Sequence, residues 1–445
     1  MVRLPQLPGL LNSASPGNRT VGLAELGVRG SLRLTRFLIQ TYPRAAKWLI
    51  KRQRPPAREV RELFEALGAT YIKCGQFIAS SPSLFPADYV EEFQLLLDKT
   101  APISYRKIKK LLERELKQSI HEVYSQFDPE PLASASIAQV HAAVLKSGEH
   151  VVVKVQKPGV AAEIMVDLNT VYILTRLMEL MLPNLEKDAI AGIIEEMYQA
   201  MIDECDFVKE ADNLEHFRQF LQETGNRQVT APKPYRQASG AKVLTMERFY
   251  GCSLTDTKAL QTHSANASEA LFNALNTWFA SLTQCDFFHA DLHSGNMLLL
   301  DDGRVGFIDF GMVGRISKDV WASTFSLFSA LGLQDYRAVA EAMLAVGITR
   351  DQVDLDRLSM DIARLFASLG QVQPSGAIDL QSQMQAGTIN DLMMQLGEIG
   401  KNHGIRFPRA FTMLLKQFLY FDRYLQILDP GASVFDNPNI KMFQA

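Results

Sequence analysis

The sequence predicts an α+β fold of two lobes preceded by an N-terminal helical extension. Three observations carry this expectation. Helical periodicity runs from about residue 31 to residue 116. A Val-rich alternating pattern then takes over at 140–156, with Ser147-Gly148 at its turn. Residues 317–428 return to helical patterning with short breaks. The chain has 445 residues, enough for about two or three domains.

Residues 1–30 are rich in Pro, Gly and Ser and read as a loose leader. A helical period follows from Ser31 to Lys51, with Leu34, Phe37, Leu38, Tyr42, Ala45, Trp48 and Leu49 on one face and Arg33, Arg36, Arg44, Lys47 and Lys51 flanking it. Pro43 is expected to kink or split this helix. Further helices are expected over 59–80, 84–97 and 104–116, then the hairpin at 140–156, then long helices at 161–184 and 188–222. A strand at 242–249 and a helix at 265–285 precede a second hairpin at 296–309, which turns at Asp301-Asp302-Gly303. The resulting division is 1–58 leader and basic helix, 59–125 helical extension, 126–250 small β-containing lobe, 251–430 helical lobe and 431–445 tail.

Composition narrows the function classes. With 47% hydrophobic and 21% charged residues, a large core is available and wholesale disorder is disfavoured. The net charge of −3 argues against a nucleic-acid partner. Residues 1–60 nevertheless hold eleven Lys/Arg and two acids. That asymmetry makes the 31–51 helix a candidate for peripheral contact with an anionic membrane. The four cysteines are far apart, against a disulfide framework or zinc site and consistent with a reducing compartment such as the cytoplasm. No run of about 18 uncharged apolar residues suggests a spanning helix. The N-terminus lacks the compact apolar stretch of a secretion signal.

The strongest chemical signal is HADLHSGN followed by FIDFG. Asp291 and Asn296 have the D-x-x-x-x-N spacing of a kinase catalytic loop. Phosphoryl transfer asks a protein mainly to position groups and neutralise charge. Asp291 is the candidate to orient an attacking oxygen, and the amide oxygen of Asn296 can bind Mg2+. Asp309 would hold the same metal from the far end of the hairpin. Either motif alone could be an ordinary turn; both, separated by one hairpin, form a far stronger signal. Upstream, alternation in VVVKVQ sets Lys154 opposite Val153 and Val155, where it can reach nucleotide phosphates.

A lysine so placed needs a carboxylate partner. Glu204, Asp206 and Glu210 offer three; on one continuous helix Glu204 and Glu210 point about 120° apart, while Asp206 and Glu210 share a face. Where a glycine-rich loop would precede the lysine strand, the chain has Ala133-Ser134-Ala135-Ser136-Ile137-Ala138. Alanine and serine restrict φ and add bulk, so this loop should hold nucleotide differently, through amides and the hydroxyls of Ser134 and Ser136. Lys73-Cys74-Gly75-Gln76 is a further oddity, because a mid-helix glycine costs about 1 kcal/mol and calls for a reason.

Together YIKCGQ, ASASIAQVHAA, VVVKVQKPG, ECDFVKEADN, TMERFYG, FFHADLHSGN and FIDFG make residues 60–315 resemble the UbiB-type (AarF/UbiB) atypical protein kinase-like family. The resemblance implies a bilobal protein-kinase-like fold with ATP and Mg2+ as cofactors. It implies a helical extension bearing a K-x-G-Q motif, here Lys73 to Gln76, that folds over the acceptor position. Lys73 would be held by Glu204 and Asp206, and Lys154 would pair with Glu210. The Ala133–Ala138 loop would replace the glycine-rich loop, and Met246, Glu247 and Arg248 would meet adenine through backbone groups. The sequence departs from the usual family pattern at Leu292 and Ser294, where HADPHPGN has prolines, and at Ala138, where many members have glycine.

The family implies ATPase or atypical kinase activity in support of prenylquinone or isoprenoid lipid metabolism, with a quinone or lipid ligand and a cytoplasmic, peripheral-membrane or plastid location. The alternatives are a catalytically silent nucleotide-binding scaffold for a lipid-biosynthetic complex, and a small-molecule phosphotransferase of the aminoglycoside type. The K-C-G-Q motif argues against the last.

Overall fold

The computed structural model describes residues 35–44, 47–48, 54–79, 86–93, 95–96, 102–181, 197–198, 201–254, 256, 260, 267–293, 295–349, 352–370 and 386–428. The expected leader and tail lie outside these residues, as do Arg33, Leu34, Ala45, Leu49 and Lys51 of the basic helix.

Residues 35–44 are helical. Arg36 Nη2 donates to Ala66 O at 2.7 Å, and the Phe37 and Tyr71 rings lie 6.0 Å apart. Trp48 Nε1 donates to Glu59, which also pairs with Lys47. The expected single apolar face is therefore divided. Phe37 and Trp48 pack on the body, while Leu38, Ile39 and Tyr42 stay exposed.

The helix expected over 59–80 is two helices, α1 (Ala57–Leu67) and α2 (Ala69–Ala79), broken at Gly68. Its φ of 108° is one that glycine adopts readily, and a one-residue break leaves the hydrophobic period visible across it. In α2, a Cβ at Gly75 would overlap Leu96 and come within 2.6 Å of the Phe93 ring. Close packing against α3 (Ala87–Phe93) is the reason for the mid-helix glycine.

α4 (Tyr105–Leu116) covers one face of a four-stranded antiparallel sheet. The sheet contains β1 (Tyr124–Ser134), β2 (Ala138–Leu145) and β3 (His150–Gln156). After α5 (Val160–Met181), α6 (Phe207–Glu223) and β4 (Val229–Thr230), β5 (Val243–Glu247) completes it in the order β1-β2-β3-β5. Val151, Val153 and Val155 are fully buried against Ile108, Leu111 and Leu112 of α4, and each such side chain stabilises the fold by about 1.5–3 kcal/mol. Strand alternation then sends Lys154 to the opposite face. The sequence pattern did not predict β1. The register shifts on either side of Pro131, which pairs with His141, and such irregularity is tolerated because β1 is an edge strand.

The helix expected over 188–222 is also interrupted. Residues 201–204 are helical, the chain turns at Cys205, and α6 starts afresh at Phe207 with Asp206 as its N-cap. Asp206 Oδ1 accepts the Lys209 N–H at 3.0 Å. Glu204 and Glu210 are thus on different helices, and the 120° separation derived from one continuous helix does not describe them.

A second sheet contains β6 (Gly251–Ser253) and, after α7 (Ala267–Gln284) and β7 (Phe288–His289), the hairpin β8 (Met297–Leu300) and β9 (Val305–Phe307). Its order is β4-β9-β8-β6, and β7 pairs separately with β10 (Val313–Gly314). The helical remainder comprises α8 (Lys318–Gly332), α9 (Tyr336–Val346), α10 (Leu355–Gly370), α11 (Ala386–Asn402) and α12 (Arg409–Leu428). A short β11 (Ile348–Thr349) and β12 (Ile405–Arg406) pair between them. Trp278 of α7 is fully buried and meets Phe288, Phe418 and Phe421 edge-on, so α12 is fixed in the same core as the second sheet.

Candidate active site

β3 aims Lys154 at the start of α6. Its Nζ donates to both Glu210 oxygens at 2.9 Å and to Asp309 Oδ1 at 3.1 Å, with the Phe207 ring 5.2 Å away. Glu210 is wholly buried, and burial pushes its carboxyl up to about 7 against the pull of Lys154. Burial also works against the Lys154 ammonium, but Asp309 and Glu210 outweigh it and raise its pKa above the usual lysine value.

Asp309 follows β9 in a left-handed conformation, φ 61°, which aspartate tolerates better than most residues. Its Oδ1 receives Lys154 and, at 3.4 Å, the Gly311 N–H; Oδ2 takes neither. Burial opposes ionisation here, yet Lys154 holds the carboxyl below the usual aspartate range.

The loop after β7 is held by His289. Its Nδ1 accepts the Asp291 N–H at 3.1 Å, so the proton is on Nε2, which donates to Ile308 O at 3.0 Å. This neutral ring joins the Asp291 loop to the residue before Asp309. Asn296 Nδ2 donates to Asp291 O at 2.9 Å, leaving the amide oxygen as a candidate metal ligand. Asp291 Oδ1 accepts from Lys416 at 2.9 Å, and His293 Nε2 lies 3.8 Å from Oδ2. Burial would raise the Asp291 carboxyl, but Lys416, His293 and Lys73 outweigh it and drive it far below the usual value. Ser294 lies outside the described residues.

The Ala133–Ala138 segment spans the end of β1, the turn at 135–137 and the start of β2, pinned by Ala135 N–H to Ala138 O at 2.9 Å and Lys157 N–H to Ile137 O at 2.7 Å. Ile137 is buried with Cys74 of α2, and Ser136 is buried too, so the turn docks under the extension. Ser134 Oγ is buried with no hydrogen-bond partner among the described residues. At the end of β5, the Glu247 N–H is given to Lys233 O and the Arg248 N–H to His150 O. Met246 is buried in the core shared with the second sheet.

On α2, Lys73 Nζ meets Glu204 at 2.9 Å. Burial raises the Glu204 carboxyl and Lys73 opposes that rise. Asp206, expected beside Glu204 on Lys73, caps α6 instead. Gln76 makes no side-chain hydrogen bond among the described residues.

Helical patterning over 317–428 anticipated α12, but sequence reasoning missed that its side chains reach the Asp291 loop. Besides Lys416, Gln417 accepts the Leu292 N–H and donates to Ala290 O, both at 2.8 Å, and Tyr424 Oη donates to Leu292 O at 3.1 Å. The available signal was Lys416-Gln417 inside the apolar helical run TMLLKQFLYF, where a wholly buried Gln417 demands polar partners.

Among the described residues, no cluster of three or more His, Cys, Asp or Glu could hold a metal. Asn296 and Asp309 suit a Mg2+ that takes few protein oxygens and completes its shell with phosphate and water. The amide oxygen of Asn296 and Asp309 Oδ2 are oxygen donors of the kind such an ion takes.

A family model described as the ABC1 atypical kinase-like domain matches residues 95–343. A chloroplastic aarF domain-containing protein kinase of Arabidopsis thaliana is 41% identical over 398 residues, covering 86% of this chain and 74% of that protein. Activity of BC1 Complex Kinase 7, also chloroplastic and from Arabidopsis thaliana, is 31% identical over 382 residues, covering 86% of this chain and 53% of its own length. A Mycobacterium tuberculosis protein is 30% identical over 400 residues, covering 89% and 79%.

Proposed function

Because the chain belongs to the ABC1 atypical kinase-like family, we propose that it binds ATP with Mg2+ and releases or transfers the terminal phosphoryl group. The observation that carries this reading is the convergence on Lys154 of β3, whose Nζ meets both Glu210 of α6 and Asp309 at the end of the second sheet. Lys154 would meet the inner phosphates while Glu210 keeps its stem in place. Asn296 and Asp309 would hold Mg2+, which when bound neutralises phosphate charge. Asp291 would orient the acceptor oxygen. Ser134 would donate its unpartnered hydroxyl to a phosphate oxygen.

Support of prenylquinone or isoprenoid lipid metabolism, with a lipid or quinone ligand, rests on the family resemblance. Two relatives named chloroplastic support a plastid setting. No helix among the described residues is long and apolar enough to cross a membrane. Any membrane contact would be made by the exposed Leu38, Ile39 and Tyr42. The test is ATP turnover by the full chain, with and without quinone-like ligands. Wild type should hydrolyse ATP and Asp309→Asn should not; equal rates sink the reading.

A silent nucleotide-binding scaffold is the second reading, and one observation favours it. Asp291 is already ion-paired with Lys416 and held ionised, which makes it a weak proton acceptor. Mg-ATP stabilisation without any product would select it.

A further inference from the structure

The residues of the Asp291 loop, DLHSGN, include no lysine or arginine. A fixed positive charge nevertheless stands at its carboxylate, supplied by a helix 125 residues downstream. Lys416 Nζ lies 2.9 Å from Asp291 Oδ1 on a side chain only 15% exposed. Its position is set by the fold. Gln417 and Tyr424, seven residues apart and so on one face of α12, hydrogen-bond the loop backbone at Ala290 and Leu292. Phe418 and Phe421 anchor the same helix against Trp278.

A purely structural ion pair is the plainer reading, and the packing weighs against it. Gln417 and Tyr424 already tie helix to loop with neutral bonds. A half-buried charge pair adds a desolvation cost that geometry alone does not require. Lys154 stands on Asp309 and Lys73 acts on both carboxylates from α2, so Lys416 is the lysine in direct contact with the carboxylate expected at the acceptor.

We propose that Lys416 is a catalytic residue that donates to the terminal phosphoryl group of the nucleotide. This rests on the nucleotide reading above and deepens it. In the transfer, the acceptor oxygen bonds to the γ-phosphorus and the bond from that phosphorus to the β–γ bridging oxygen breaks. ADP leaves with the electron pair, and the acceptor's proton passes to water, or to Asp291 once Lys416 has moved off it. The charge of the transferring group is spread over its three equatorial oxygens, where a cation supplied in cis can meet it. Lys416 would leave Asp291 in part to meet them, which also frees the carboxylate to orient the acceptor.

The experiment is calorimetric titration of the full chain with Mg2+ and a non-hydrolysable ATP analogue, and separately with Mg2+ and ADP. Wild type, Lys416→Met, Lys416→Arg, Asp291→Asn and the uncharged pair Lys416→Met with Asp291→Asn are compared. Lys416→Met should lose about tenfold in affinity for the triphosphate while ADP affinity changes by less than about twofold. Turnover should fall by about 100-fold, with partial rescue in Lys416→Arg. Should the Met variant fail to fold, the uncharged pair compared with Asp291→Asn must show the same selective loss. Equal losses for both nucleotides, or no loss for either, overturn the inference and leave the nucleotide reading standing. Wild type that binds neither nucleotide overturns both.

Discussion

Lys154 and Asp309 are joined by a 3.1 Å contact that ties the third strand of the first sheet to the segment leaving the second. That contact brings the polar groups of the two sheets to one place, because neither sheet carries both groups. The junction in turn rests on Glu210, which has no exposure and, among the described residues, no other cation as close.

Glu210→Gln leaves the Lys154 ammonium with one carboxylate where it had two. Breaking a buried pair typically costs about 3–5 kcal/mol, and the remaining Asp309 contact should hold the loss near the lower end. Chemical denaturation should show that drop. Lys154→Met combined with Glu210→Leu should recover part of it; a double variant less stable than either single one would contradict this account.

Gln417→Leu removes the side chain that satisfies the Leu292 N–H and the Ala290 carbonyl. Each buried group left unpaired costs about 1–3 kcal/mol. The loop carrying Asp291 should loosen, so turnover should fall more than nucleotide affinity. Faster amide exchange at residues 290–293 is the direct readout, and unchanged exchange there would show that α12 does not position the loop.

Gly75→Ala should destabilise the protein although alanine is the better helix former. Helix propensity returns about 1 kcal/mol. Overlap with Leu96 and Phe93 costs about 1–3 kcal/mol by overpacking. The melting temperature should therefore fall, and a rise would mean that Leu96 and Phe93 yield without strain.

Leu38→Asp with Tyr42→Asp places charge on the exposed side of the 35–44 helix without touching Phe37, which packs on Tyr71. Sedimentation with vesicles rich in anionic lipid should drop severalfold relative to wild type. Equal pelleting would remove this helix as a membrane contact.

Local pattern made much of the architecture legible. The Val-rich alternation placed Lys154 on the face away from α4, and the D-D-G turn set the β8–β9 hairpin because Gly303 takes a φ of 85° there. Breaks of one or two residues were not legible, since a hydrophobic period continues across Gly68 and across Cys205-Asp206. The partition of carboxylates shows the consequence. Lys73 with Glu204 and Lys154 with Glu210 are separate pairs, divided by a helix restart that Asp206 caps.

The sequence by itself determined which residues are the candidates for phosphoryl chemistry, because D-x-x-x-x-N, the lysine strand and FIDFG are each short enough to be fixed by local spacing. Only the tertiary structure decided who neutralises whom. The partners of Lys154 lie 56 and 155 residues away, and the partner of Asp291 lies 125 residues away. Coulomb attraction and core packing act through space, so the pairing of Lys416 with Asp291 exists only once Trp278 has drawn α12 into the core beneath the loop.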